Sequence, residues 1–180
     1  MITAYLTHPD CALHHMGPEH PESPLRLEAI RARLSLSGLL QQTMQADAKE
    51  AYDEALARVH PLRHLNALEK CLPKEGIVTL DSDTMMNPDS LKAARVAAGA
   101  VVRGVDQVFK RQADNVFCAV RPPGHHAEAA DAMASAFTTI LPWEPLTQRP
   151  NTALSASPFS ILMCINVTAL SIFLKMTPKY

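Results

Sequence analysis

The run Arg121-Pro122-Pro123-Gly124-His125-His126-Ala127-Glu128 concentrates more chemistry than any other stretch of this chain. Two adjacent imidazoles follow a proline-proline-glycine turn. Histidine titrates nearer neutrality than other side chains, so such a pair can exchange protons with a reacting group and steady charge beside it. In an arbitrary loop the same dipeptide would be no more than a solvated pair. Here an apolar run, Val116-Phe117-Cys118-Ala119-Val120, stands directly before it. That run reads as a buried strand which the prolines and glycine stop abruptly. Open α/β folds bind their ligands beyond the carboxyl ends of such strands.

Other polar clusters are less specific. His8, His14, His15 and His20 crowd one loop with Cys11. A metal could bind such a set, but the spacing fits no tetrahedral pattern well. Asp81, Ser82, Asp83 and Thr84 follow the apolar run Gly76–Leu80 and read, on residue type, as a surface turn. The cysteines at 11, 71, 118 and 164 form no CxxC pair, which suits free thiols in a reducing cytoplasm. A serine or cysteine hydrolase using the histidines as base is disfavoured, because no GxSxG elbow exists and Cys118 would point into the core.

The elements that must position these residues can be read from periodicity. Ile2–Leu6 is a short apolar run and a first strand. Ser23 and Pro24 form a helix start, after which Leu27, Ile30 and Leu34 line one face. Residues 51–71 have helical patterning interrupted at Pro61, hence two helices. Gly76–Leu80 reads as a buried strand. Asp89 or Ser90 can cap a helix in which Ala94, Ala98, Val101, Val102, Val105, Val108 and Phe109 recur at three-four spacing. Alternating strands and helices ending at the Val116 strand predict an α/β fold, a parallel sheet with helices on both faces.

At 180 residues one domain is expected. A net charge of −1 without a long basic run gives no footprint for nucleic acid, so any basic substrate would have to be met by local acidic residues. The N-terminus has no basic region followed by an apolar stretch, which argues against a secretory signal and for a cytoplasmic protein.

RPPGHHAEA, residues 121–129, resembles the active-site signature of the histone deacetylase family, in particular its class II and bacterial amidohydrolase branch. THPDCALHHMGPEHPESPLRLEAI, Thr7 to Ile30, is similar to the family's opening, where HPE-x-P-x-RL follows the first strand. LDSDTMMNPDSLKAARVAAGA, Leu80 to Ala100, resembles the segment entering a long helix ahead of the signature. The resemblance runs from the N-terminus to about Met133. It implies an arginase/deacetylase-like fold, incomplete in this chain, with residues 1–133 as the N-terminal part of a deacetylase domain.

By the same resemblance the reaction is hydrolysis of an N-acetyl amide, with zinc polarising the carbonyl and acidifying water. The substrate would be acetyl-lysine in a protein, or an acetylated polyamine or other small amine. His126 would act as general base and then as acid toward the leaving amine. His125 would stabilise the oxyanion, and the tandem histidines are not ligands. Gly124 and the prolines would shape the loop so that no side chain crowds the acetyl channel. Asp83 would accept hydrogen bonds from the substrate's backbone amides at the mouth, and the histidine-rich loop would form part of the rim.

Past Met133 the character changes. Periodicity disappears, charged residues nearly vanish, and the apolar run 159–174 resembles a membrane anchor that is slightly short and carries asparagine, threonine and serines. A lost base just after the Met133 codon explains more. Each residue of the restored frame is then encoded by the last base of one apparent codon and the first two of the next. Trp143 followed by Glu144 forces glycine, Met163 followed by Cys164 forces valine, and Met176 followed by Thr177 forces aspartate. Permitted choices elsewhere give GFCFYNNIAVGA after Met133 and DVHQRNGTQHIFEDDP over Leu162–Pro178, both similar to the family's continuation. One position disagrees: Asn166 with Val167 allows only arginine or cysteine where the family usually has glycine. Residues 134–180 are therefore expected to be an aberrant tail.

The expected metal site is missing with that tail. Restoring the frame puts an Asp-x-His pair where Met163, Cys164 and Ile165 now stand, and methionine and isoleucine cannot replace hard, charged ligands. The family's later aspartate and its carbonyl-polarising tyrosine would fall beyond residue 180. The expectation is a deacetylase-family chain without metal ligands and without activity as written. The alternative is a catalytically dead binding module, or a protein anchored to a membrane through its C-terminal run. The oligomeric state is not legible.

Overall fold

A computed structural model describes residues 1–124, 126–127, 129–132, 136–138 and 160–163. Along the chain the elements are β1 (Thr3–Thr7), α1 (Leu25–Leu36), β2 (Met44–Asp47), the single turn α2 (Asp53–Leu56), α3 (Leu62–Cys71), β3 (Val78–Asp81), β4 (Thr84–Met86), α4 (Ser90–Phe109), β5 (Asn115–Cys118) and β6 (Ser160–Met163). The apolar runs at Ile2–Leu6 and Val116–Val120 become the two central strands of a parallel sheet ordered β2-β1-β5-β6. Ala4 lies opposite Val116, and Leu6 opposite Cys118. On the far side of β5, Cys118 lies opposite Met163.

Alternation along these strands divides the core into two faces. Ala4, Leu6, Val116 and Cys118 pack against Val96, Ala100, Val101 and Val108 of α4. Tyr5 and Phe117 point the other way, with ring centroids 5.9 Å apart, toward Leu27, Ile30 and Leu34 of α1. Helices thus cover both faces, as the strand-helix alternation implies. The α1 stripe packs as its spacing predicts, and Ser23 assists the helix start by accepting the Leu25 N–H at 3.3 Å.

The close packing of α4 rests on glycine at 99. A Cβ there would lie 1.8 Å from the Lys49 carbonyl oxygen, because the chain between β2 and α2 passes against the helix and the Ala51 N–H donates to the Arg95 carbonyl at 2.9 Å. Only a residue without a side chain lets the two backbones meet in this way.

Three local expectations need correction. Gly76–Leu80 does not join the main sheet: β3 pairs antiparallel with β4 in a separate hairpin, and its residues are half-buried or exposed. Four apolar residues cannot by themselves distinguish a core strand from a short hairpin arm. Phe109 does not belong to the buried stripe of α4; at the last turn it is 57% exposed, while Ala94, Ala98, Val101 and Val108 are buried. Neither Asp89 nor Ser90 caps α4 through its side chain: Asp89 makes no capping bond, and the Ser90 hydroxyl turns inward. The break at Pro61 does separate α2 from α3. The start of the apolar run 159–174 is strand β6, and residues 164–174 lie outside the described residues. Among the described residues no helix is long and apolar enough to cross a membrane.

Candidate functional site

The chain leaves the sheet after Cys118 and reaches Arg121, whose side chain is almost fully buried. A guanidinium so placed needs acceptors for its donors. Its Nε donates to Glu22 Oε1 at 2.8 Å, and its Nη2 donates to Glu22 Oε2. Nη1 donates to the carbonyls of Cys11, at 3.0 Å, and His14. The arginine that opens the RPPGHH motif therefore ties the exit of β5 to the loop after β1 and to the HPE segment. The pair is bidentate, charge-assisted and shielded from water.

Beside it stands His14, also fully buried. The Ser90 hydroxyl accepts the Asn87 N–H at 2.8 Å and donates to Asn87 Oδ1 at 2.7 Å. That leaves Nδ1 of His14, 2.7 Å from the same hydroxyl, to act as donor. The Asn87 side-chain amide donates to the Leu13 carbonyl at 2.9 Å. Burial first, then the nearby Arg121 charge, hold the His14 imidazole down to about 3. The ring is neutral at ordinary pH, so its 3.6 Å approach to Glu22 is not an ion pair. One polar knot thus joins the loop after β1, the start of α4 and the exit of β5.

Downstream of the histidines, α3 and the short segment that leads into it supply a second brace. His60 Nδ1 donates to the Ala129 carbonyl at 3.0 Å, and His64 Nε2 donates to the Phe137 carbonyl at 3.1 Å. The two rings stack with centroids 5.1 Å apart. Phe137 is fully buried, among Leu68, Met86, Leu91 and Ala94. Between the braces, the Ala127 N–H donates to the Gly124 carbonyl at 3.2 Å, closing a tight turn. His126 sits on that turn and is exposed, Gly124 is half-buried, and His125 lies outside the described residues.

Asp83 occupies the tip of the β3–β4 hairpin. Its N–H donates to Asp81 Oδ1 at 2.7 Å, as a surface turn would. Its carboxylate oxygen Oδ1 lies 3.1 Å from Nε2 of His20. Of the histidine-rich loop, His14 thus joins the buried knot and His20 meets Asp83, while His8 caps its own turn through the Asp10 N–H. Among the described residues no group of three or more histidine, cysteine or acidic side chains is arranged to hold a metal ion.

Residue patterning singled out the histidines but missed Arg121, Glu22, Asn87, His60 and His64. For Arg121 a signal was present: a cation immediately after five apolar residues requires an anion from elsewhere in the chain. His60 and His64 gave none, because two histidines four residues apart look the same in sequence whether exposed or buried.

Comparison with known proteins places this geometry. Residues 20–138 match the histone deacetylase domain family. The chain is 36% identical over 123 residues to histone deacetylase 5 of Arabidopsis thaliana, covering 65% of this chain and 19% of that protein. It is 36% identical over 118 residues to a histone deacetylase-like amidohydrolase of Pseudomonas aeruginosa, covering 66% and 31%. Human polyamine deacetylase HDAC10 is 33% identical over 141 residues, covering 73% and 21%. The crystal structure of the HDA15 HD domain superimposes with a TM-score of 0.72 at 32% identity, over 77% of this chain and 40% of that one. The chain spans well under half the length of each of these proteins.

Proposed function

This chain belongs to the histone deacetylase family, and on that premise we propose that it carries the proton-transfer half of a site that hydrolyses N-acetyl amides. What supports the reading is the RPPGHH turn at the carboxyl end of β5, held upstream by Arg121 and downstream by His60 and His64. His126 takes the proton of the attacking water and returns it to the leaving amine. His125 stabilises the negative charge that develops on the carbonyl oxygen. Gly124 and its prolines keep the turn narrow where the acetyl group passes. Asp83 accepts hydrogen bonds from the substrate backbone at the rim. The substrate class is acetyl-lysine or an acetylated polyamine or similar amine, the second kept by likeness to a protein named as a polyamine deacetylase. Free thiols at Cys11, Cys71 and Cys118 suit a cytoplasmic setting.

Zinc, the metal the family implies, does not fit the residues present. The donors expected at the exit of the strand beside β5 are replaced by Met163 and Ile165, and a thioether and a hydrocarbon are no substitute for a carboxylate and an imidazole. We read this polypeptide as without catalytic zinc and without deacetylase activity, and residues 134–180 as translated out of frame. The register of β6 bears on where the expected donors would have stood, because Met163 ends a strand parallel to β5 and level with Cys118. Resequencing the locus tests the frame. Inserting one base after codon 133 and assaying acetyl-lysine peptide and acetylated polyamine tests the function. Activity is expected in the restored chain alone; turnover by the 180-residue chain would overturn the reading.

A further inference from the structure

The histidine turn is supported on both sides, and His14 touches both supports. Upstream, its backbone carbonyl accepts Nη1 of Arg121, the residue that opens the motif. Downstream, its ring meets that of Phe137 edge to face, with centroids 5.5 Å apart and planes at 87°. That distance and angle fall in the range aromatic rings prefer. Neither ring is free to turn away. His14 is fully buried and tied through Nδ1 to the Ser90 hydroxyl at 2.7 Å. Phe137 is fully buried among Leu68, Met86, Leu91 and Ala94, and His64 holds its carbonyl. The other nitrogen of His14, Nε2, makes no hydrogen bond, so beyond Ser90 the ring works by packing. A close-packed interior passes displacement from one side chain to the next.

We infer that His14 is a positioning residue that couples the two supports, so that the Arg121 knot and the Phe137 brace hold the turn between them as one unit. Its use to a reaction rests on the proton-transfer role proposed above for that turn. The coupling itself is a property of the packing and is measured without turnover. The clamp is thus closed by the loop after β1, far in sequence from the motif it holds.

The test uses the full 180-residue chain, perturbing one support and reading the other. His64→Phe loosens the downstream support by removing the donor to the Phe137 carbonyl. The upstream support is read from solvent exchange of the Arg121 Nε–H, which donates to Glu22 at 2.8 Å. Rates are taken relative to the amides of β5, so that a general loss of stability, which speeds both, cancels. With His14 in place, His64→Phe should speed the Arg121 Nε–H about threefold on this scale, as loss of a modest aromatic contact would. No relative change would overturn the inference. The comparison is then repeated in two backgrounds. His14→Asn keeps a donor for Ser90 but has no ring, whereas His14→Phe keeps the ring and gives up the bond to Ser90. The threefold effect should vanish in His14→Asn and persist in His14→Phe. Its survival in the first, or its loss in the second, would overturn the inference, since the path would not then run through the ring. Phe137→Leu keeps apolar volume without the ring face; it should abolish the effect as well, and it decides the matter should His14→Asn not fold. None of these rates depends on whether the turn transfers protons, so failure of that role and failure of the coupling are read separately.

Discussion

Strands β5 and β6 run parallel side by side and end level, Cys118 opposite Met163, yet their exits have opposite character. The exit of β5 leads into Arg121, a buried cation with carboxylate and carbonyl partners, and then into a turn bearing two histidines. The exit of β6 leads from Met163 into Cys164 and Ile165, with no carboxylate or imidazole. The difference teaches how a site of this kind divides. On the function proposed above, proton transfer would sit at one strand's exit, braced by residues that do no chemistry, and metal binding at the neighbouring exit, so that a change of sequence there would leave the first in place.

If the β5 exit is held as described, breaking its buried pair should have the largest effect. Glu22→Ala leaves the Arg121 guanidinium buried without its counter-charge, at a cost of about 3–5 kcal/mol. Chemical denaturation should show this as a large drop in midpoint or a chain that no longer folds. A change below 1 kcal/mol would mean that the exit is not anchored there.

Acid should attack the same exit through His14. Its folded-state pKa, about 3, lies below the ordinary 6.5, so the unfolded chain takes up the proton first. Its stabilising contribution is complete above about pH 6.5 and is lost as pH falls from there toward 3, by up to ~1.4 kcal/mol per unit. Denaturation midpoints measured across that window should fall more steeply for the wild type than for His14→Gln.

The downstream brace should be weaker. His64→Phe keeps the ring stack but removes the donor to the Phe137 carbonyl, costing about 1–2 kcal/mol. Hydrogen exchange should accelerate at residues 136–138 while the β5 amides hold their protection.

The smallest effect leaves stability untouched. Burial pushes the thiols of Cys11 to about 11 and Cys118 to about 12, whereas Cys71 is exposed. Under native conditions an alkylating reagent should label Cys71 well before either of these two. Early labelling of Cys118 would mean that the sheet is open at β5.

Much of this arrangement was legible in the sequence because it is local. The apolar runs around Leu6 and Val116, the three-four spacing along α4 and the break at Pro61 each record a choice made within a few residues. The histidine turn was legible for the same reason, since prolines and glycine mark where a strand must end. What joins distant parts of the chain was not. Glu22 and Arg121 are 99 residues apart, and His64 and Phe137 are 73 apart. No periodicity predicts which buried donor will meet which acceptor. The hairpin of β3 and β4 failed for a related reason, because its partner was chosen by the turn at Asp81–Asp83 and not by the apolar content of Gly76–Leu80.

The central claim is that this chain holds the proton-transfer half of a deacetylase site without the metal-binding half. The most direct test is hydrolysis of an acetyl-lysine peptide by the purified 180-residue chain in zinc-containing buffer. The account predicts no turnover above the uncatalysed rate. Turnover that is abolished by His126→Ala would contradict it.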